Sequence, residues 1–80
     1  MYDKDKPTPE QIAKHYTALG HSVDVINEIL SDPSLHFDPE ESIKRNVDHL
    51  VQMLAQDFWT SEDMTSVNSA IAAGNSYLSA

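Results

Sequence analysis

The sequence contains no cysteine, only two glycines, and no lysine or arginine after Arg45. Without cysteine the chain has neither a disulfide framework nor a thiolate metal site, so we expect a protein of the reducing cytoplasm. Two glycines are too few for a glycine-rich loop that holds phosphate. No apolar run approaches the roughly 20 residues of a transmembrane helix, and the polar first residues do not form a signal peptide. We therefore expect a soluble protein.

The charge of the chain is acidic and unevenly distributed. Thirteen Asp and Glu residues against five Lys and Arg give a net charge of −8, and every charged residue after Arg45 is a carboxylate. Binding to phosphate backbones needs clustered cations that displace counterions, so nucleic acid and anionic membrane are not expected as direct partners. This composition favours a partner protein with a basic surface, although acidity alone also keeps many small proteins in solution.

Signals of helix starts occur at three places in the sequence. Thr8, Asp38 and Thr60 can each cap a helix, because acidic or amide residues and then apolar residues at helical spacing follow them. Gly20 is interpreted as a left-handed C-cap and Ser22 as the N-cap of a further helix. The sequence therefore predicts an all-α fold, a compact bundle of four helices of which two are short (9–19 and 22–31) and two are long (39–59 and 61–78).

The length of the chain predicts one small domain. Residues 8–80 are expected to form this single helical domain behind a flexible tail, residues 1–7, in which the charges alternate in sign. Leu35 and Phe37 lie in the only substantial predicted loop and are expected to plug into the core. Gly74 inside the last helix predicts the close approach of another helix, either within the chain or across a dimer.

Residue types that bind metals or catalyse reactions are present, but not in patterns that deliver such chemistry. Four histidines lie among many carboxylates, yet no His-x-x-x-His or Glu-x-x-His pair is in register on one predicted helix. The serines fall at helix caps and near the C-terminus, with no nucleophile elbow. We expect no metal, no cofactor and no enzymatic activity.

Residues 11–30 resemble a helix-turn-helix unit. Gly20 stands in the turn, Ser22 opens the second helix, and Ile26 and Ile29 fall where that motif buries apolar residues. The resemblance implies a DNA-binding regulator that uses its second helix. Phosphate contacts would then come from Lys14 and the two lysines of the tail, Lys4 and Lys6. The positions that the second helix would expose to DNA lack Lys and Arg and are occupied by Asp24, Asn27 and Glu28.

Candidate contact residues lie mainly in the second half of the chain. Trp59 falls off the apolar stripe of the predicted third helix, so it either covers the corner of the bundle or forms a contact edge with Tyr77 or Tyr16. The carboxylates expected to meet a basic partner are Asp48, Asp57, Glu62 and Asp63.

The favoured hypothesis is a small acidic non-enzymatic protein that acts through protein–protein interaction. A phage or mobile-element accessory protein or inhibitor that binds a basic protein surface is of this type. One alternative is the helix-turn-helix-like DNA-binding regulator. The other is a structural homodimer that forms through the predicted third and fourth helices and has no catalytic role.

Overall fold

The computed structural model describes residues 7–79, which form three α-helices and no β-strand. The predicted all-α class is confirmed, but the described chain forms three helices where four were expected. Each helix packs against the other two. The helices are α1 (Pro9–Ser31), α2 (Pro39–Leu54) and α3 (Thr65–Ser79), with a short 3-10 turn (Pro33–Leu35) between α1 and α2.

The core lies along the common axis of the three helices. Apolar residues recur every three or four positions on each helix, so they form one inward stripe per helix. Burying a Leu, Ile or Val side chain contributes about 1.5–3 kcal/mol, and this burial holds the helices together. The buried apolar residues are Leu19, Val23, Ile26 and Ile29 of α1, Ile43, Val47 and Leu50 of α2, and Val67 and Ala70 of α3.

Helix α1 corrects the prediction of two short helices, 9–19 and 22–31. It begins at the predicted cap, where Thr8 and Gln11 form a reciprocal capping box. It then continues through Gly20. The φ angle of Gly20 is not positive, so Gly20 does not form the left-handed C-cap that was expected. A glycine inside a helix costs about 1 kcal/mol relative to alanine, which is less than the burial on either side of it contributes. Ser22 is not an N-cap, since its hydroxyl pairs with His49 of α2.

Helix α2 begins at the predicted cap, Asp38, but ends at Leu54 instead of residue 59. The carbonyl oxygen of Met53 accepts hydrogen bonds from the backbone N–H of Gln56 at 3.1 Å and from the indole N–H of Trp59 at 2.7 Å. Trp59 must lie beside the last turn to make this bond. The chain therefore folds back after α2 instead of continuing as a helix.

Helix α3 begins at Thr65, four residues after the predicted start at 61. The carboxylate of Glu62 accepts the backbone N–H of Thr60 at 2.8 Å, and Oδ1 of Asp63 accepts the backbone N–H of Thr65 at 2.9 Å. Such local bonds between side chain and backbone compete with helical hydrogen bonds. Asp63, and not Thr60, therefore supports the first turn of α3.

The expectation that Leu35 and Phe37 plug into the core is wrong. Leu35 is 78% exposed and Phe37 is fully exposed. Asp32 accepts bonds from both the backbone N–H and the hydroxyl of Ser34, which closes the 3-10 turn tightly. The short turn does not reach into the bundle, so the side chains of Leu35 and Phe37 stay in solvent.

Gly74 confirms the predicted close approach of two helices, and the approach is within the chain. A Cβ atom at position 74 would lie 2.6 Å from Cγ2 of Val47 and 3.2 Å from Cγ2 of Ile43. Both distances are shorter than ordinary van der Waals contact. Helix α3 can therefore pack this closely on α2 only because residue 74 has no side chain.

The ends of the chain bear on two further expectations. The predicted tail, residues 1–7, lies outside the described residues except for Pro7, and so do Lys4 and Lys6. No helix within residues 7–79 has both the length and the apolar character needed to cross a bilayer.

Candidate partner-binding groove

The segment that joins α2 to α3, residues 55–64, is tied to the bundle at both ends. We call it the connecting segment. The Trp59 indole bond to Met53 fixes it to the end of α2. Near α3, the hydroxyl of Tyr16 donates a hydrogen bond of 2.7 Å to the carbonyl oxygen of Asp63. The connecting segment has no regular secondary structure, yet these bonds hold it against α1 and α2.

Four aromatic rings join α1 to the connecting segment. Trp59 packs edge-on against Tyr16 with ring centroids 6.4 Å apart, and Phe58 packs against Trp59 at 4.7 Å. His15 lies 5.5 Å from Phe58. Offset and edge-on contacts of this kind contribute about 0.5–1.5 kcal/mol each. Trp59 thus covers the corner of the bundle, which is one of the two interpretations of its off-stripe position, and it does so together with Tyr16.

A groove of about 240 Å³ opens beside this aromatic cluster, between α1 and the start of α3. Its floor is apolar, and its rim carries a tyrosine ring, a serine and two carboxylates. The floor is formed by the buried residues Leu19, Val23 and Val67, and the rim by Tyr16, Asp24, Asp63 and Ser66.

Gly20 lies in the wall of the groove and leaves it open. It is exposed and helical, and a Cβ atom at this position would meet no atom within 4 Å. The space that a side chain would occupy is therefore empty. Packing within the chain does not require glycine here, which distinguishes this position from Gly74.

The electrostatics of the groove are those of an anionic site. None of the described residues that line it is Lys, Arg or His. The hydroxyl and the backbone N–H of Thr65 lower the pKa of Asp63 below its ordinary value. The backbone N–H of Thr60 likewise lowers the pKa of Glu62, with help from the N–H of Glu62 itself and the Thr60 hydroxyl. Both carboxylates are therefore fully charged at neutral pH.

The six predicted contact residues do not form one patch. Asp57, Trp59, Glu62 and Asp63 all lie in the connecting segment, and Asp48 is exposed on α2. Tyr77 lies twelve residues after the start of α3, which is about 18 Å along the helix axis. It packs on the core there, and its neighbour Leu78 borders a shallow hollow with the first turn of α2. The structure thus pairs Trp59 with Tyr16 and places Tyr77 near the opposite end of the bundle.

Of the groove residues, only Asp63 and Tyr16 were predicted as candidate contacts, so Gly20 and Asp24 were missed. Tyr16, Gly20 and Asp24 follow one another at i, i+4 and i+8, so in an unbroken helix they lie on one face. The interpretation of Gly20 as a helix end divided this face between two helices. Interpretation of residues 9–31 as one continuous helix would have placed these three residues on one face.

The structure also pairs Ser22 with His49, which the sequence did not suggest. The Ser22 hydroxyl lies 2.9 Å from Nδ1 of His49, and Ser22 is only 7% exposed. A serine nucleophile must reach its substrate, and it needs free N–H donors near the developing oxyanion. The N–H of residue 22 and those of its neighbours are committed within α1. This pair is a polar link between α1 and α2.

Other charged groups of the described chain form few contacts. Residues 7–79 contain no group of three or more His, Asp or Glu side chains that could hold a metal ion. At the start of α2, Glu41 and Arg45 form an ion pair of i, i+4 spacing, with 3.3 Å between Oε2 of Glu41 and Nε of Arg45. Lys44 and Glu40 do not come within ion-pair distance in the described part of the chain.

The helix-turn-helix resemblance does not describe the structure. Residues 11–30 form one continuous helix, so there is no turn and no separate second helix to enter a DNA groove. Comparison of the chain with known protein families, with curated proteins and with solved structures finds no match.

Proposed function

We propose that this protein is a non-enzymatic interaction module that binds a basic surface of another protein through the groove and the connecting segment. The observation that carries the proposal is the groove itself. It combines an apolar floor with two rim carboxylates, Asp24 and Asp63, and no cationic side chain lines it among the described residues. An open site of this composition suits a cationic partner and repels phosphate.

Charge supplies the first part of the proposed recognition. Asp57 and Glu62 precede Asp63 in the connecting segment, and none of the three carboxylates forms an ion pair within the described residues. Complementary charge speeds association and selects against wrong partners more than it adds affinity. Binding should therefore weaken as salt screens these exposed groups.

Apolar contact supplies the second part. Leu19 is fully buried, so Val23 and Val67 supply the accessible part of the apolar floor, and the Tyr16 ring offers an amphipathic edge that is about one third exposed. Aromatic residues at the edge of a desolvated pocket are common anchors of protein interfaces. The hydrogen bond from Tyr16 to Asp63 holds the two sides of the groove in place before binding, which reduces the entropic cost of association.

The proposal is tested by capture of proteins from the native lysate, with the tagged protein compared against a charge-neutralised variant. The variant keeps the hydrogen-bond acceptors of the connecting segment because Asn and Gln retain one carbonyl oxygen. It is Asp48→Asn, Asp57→Asn, Glu62→Gln and Asp63→Asn, and its four neutral residues change the net charge from −8 to −4.

A matched control separates location from total charge. Four carboxylates that belong neither to the connecting segment nor to the groove are neutralised instead, which gives the same net charge of −4. The control variant is Glu10→Gln, Glu28→Gln, Asp38→Asn and Glu40→Gln. We expect wild type and control to capture the same basic protein at low salt and to release it at high salt, with mass spectrometry as the means of identification. The charge-neutralised variant should not capture this protein. Equal capture by all three proteins would contradict the proposal.

The homodimer remains a prediction, with a constraint on its geometry. The small residues of α3 that could allow a close helix approach, Ala70 and Gly74, are buried against the rest of the chain. A dimer through α2 and α3 would need other faces of these helices. Measurement of the mass in solution by light scattering, without any partner, distinguishes this alternative.

A further inference from the structure

We propose that the groove receives an arginine side chain of the partner and that Gly20 provides the space for it. This inference rests on the proposed function and adds the chemical identity of the group that is bound. The relevant residues are the floor of the groove, the rim carboxylates Asp24 and Asp63, the ring of Tyr16 and the open position at Gly20.

Neither the backbone conformation nor the packing of Gly20 requires a glycine at this position. Glycine in the interior of a helix loses stability relative to alanine. Elsewhere such a loss is explained by a positive φ or by close packing. Gly20 has neither: its backbone is helical and a Cβ atom would meet nothing within 4 Å. The space above Gly20 is available to an atom from outside the chain.

The shape of the groove suits a long cationic side chain. A long cationic side chain buries its methylene groups along apolar surface while its charged head stays at the edge. Val23 and Val67 of the floor, together with the exposed ring of Tyr16, offer apolar surface to such a stem, and the two carboxylates on the rim match the head. The carboxylates come from different parts of the chain, Asp24 from α1 and Asp63 from the connecting segment just before α3.

The two carboxylates and the tyrosine ring of the rim favour arginine over lysine. A guanidinium has five donors in a planar fork and can bond two carboxylates at once, whereas an ammonium is a compact and strongly hydrated charge. Guanidinium groups also stack on aromatic rings more often than ammonium groups do. The ring of Tyr16 stands at the same rim as Asp63, and its hydroxyl is already bonded to the Asp63 carbonyl.

The inference is tested by nuclear magnetic resonance titration of the isotope-labelled full chain with three small probes. The probes are N-acetyl-arginine amide, N-acetyl-lysine amide and N-acetyl-citrulline amide, the last of which has the shape of arginine without its charge. We expect the arginine probe to produce saturating shifts at the amides of Gly20, Asp24 and Ser66. The affinity of the lysine probe should be lower by a factor of about three or more, and the citrulline probe should leave the chemical shifts of these amides unchanged.

Two variants connect the binding to the groove. Gly20→Leu fills the open space and also favours the helix, so loss of folding does not confound the result. It should weaken the arginine probe about tenfold or more. Asp24→Asn removes one rim charge and should weaken it about threefold. The control is Ala13→Leu, which adds the same side chain to α1 about 10 Å away from Gly20 and should bind as wild type does.

Three results would overturn the inference: no saturating shift at the groove amides, equal binding of lysine and arginine, or unchanged binding in Gly20→Leu. The lysate capture with Gly20→Leu separates this failure from failure of the proposed function. A basic protein that Gly20→Leu captures as well as wild type, but that the charge-neutralised variant does not capture, would refute the arginine groove and leave the acidic interaction surface in place.

Discussion

The two glycines of this chain lie inside helices of the same bundle but in opposite surroundings. Gly74 is buried, and a Cβ atom there would collide with Val47 at 2.6 Å. Gly20 is exposed, and a Cβ atom there would contact nothing. The same residue type therefore serves helix packing in one region and leaves an open surface in the other. The contrast separates a glycine that the fold needs from one that the fold does not need.

The largest expected effect is the destabilisation caused by Gly74→Ala. The added methyl group meets Cγ2 of Val47, and a β-branched side chain in a helix has little freedom to move aside. Overpacking of this kind outweighs the gain in helix propensity, so we expect a net loss of about 1–2 kcal/mol. Chemical unfolding monitored by circular dichroism measures it. An unchanged or higher free energy of unfolding would show that α3 can shift away from α2.

The second prediction concerns the aromatic corner next to Gly20. Trp59→Phe removes the indole donor to the Met53 carbonyl and should cost about 1 kcal/mol. The phenyl ring keeps part of the contact with Tyr16, so the bundle should stay folded. Because Trp59 is the only tryptophan, its absorbance is lost, and unfolding is again followed by circular dichroism. Equal stability of the variant would mean that the indole bond does not end α2.

The third prediction has the opposite sign to the first. Gly20→Ala should stabilise the protein by about 0.5–1 kcal/mol, because alanine favours the helix and its methyl group fits the open space. In a domain of this size the gain corresponds to an increase in Tm of about 3–6 °C. Thermal unfolding measures it. A decrease in Tm would indicate a structural role for Gly20 and would remove the contrast with Gly74.

The smallest expected effect is on the charge at the groove rim. Hydrogen bonds from Thr65 hold the pKa of Asp63 below its ordinary value of 3.8. A carboxylate with a lowered pKa in the folded state contributes stability above its ordinary pKa, and that contribution is lost as pH falls through the folded value. Thr65→Val removes the hydroxyl donor, so the pKa of Asp63 should rise towards 3.8.

Carboxyl-detected nuclear magnetic resonance titration measures this change and includes its own control. The pKa of Glu62 is lowered by Thr60 and not by Thr65, so it should not move in the same variant. If the Asp63 pKa stays where it is in wild type, the Thr65 hydroxyl is not its partner.

Local signals in the sequence predicted the parts of the fold that depend on neighbouring residues. The cap at Thr8 and the cap at Asp38 each involve residues within a few positions of one another, and both are observed. The predicted end of α2 and the predicted start of α3 were wrong because they depend on side chains that turn back, Trp59 onto Met53 and Glu62 onto Thr60. Helical periodicity does not register such bonds.

The groove was beyond sequence reasoning for a related reason. Asp24 and Asp63 are 39 positions apart in the numbering and come to line one groove only when the connecting segment and α3 pack on α1. The acidic residue Asp63 was predicted as a contact, but its partner across the groove was not. Gly20 was misinterpreted because a glycine after an apolar residue is also the common sign of a helix end. The open space beside it is defined only by the packed helices.

The most direct test measures stability and binding on the same variant, Gly20→Leu. If the fold does not need Gly20 and this position leaves space for a partner, the variant should have a higher Tm than wild type. Its affinity for N-acetyl-arginine amide should be lower than that of wild type by a factor of about ten or more. A lower Tm, or binding equal to that of wild type, would contradict the functional role assigned to Gly20.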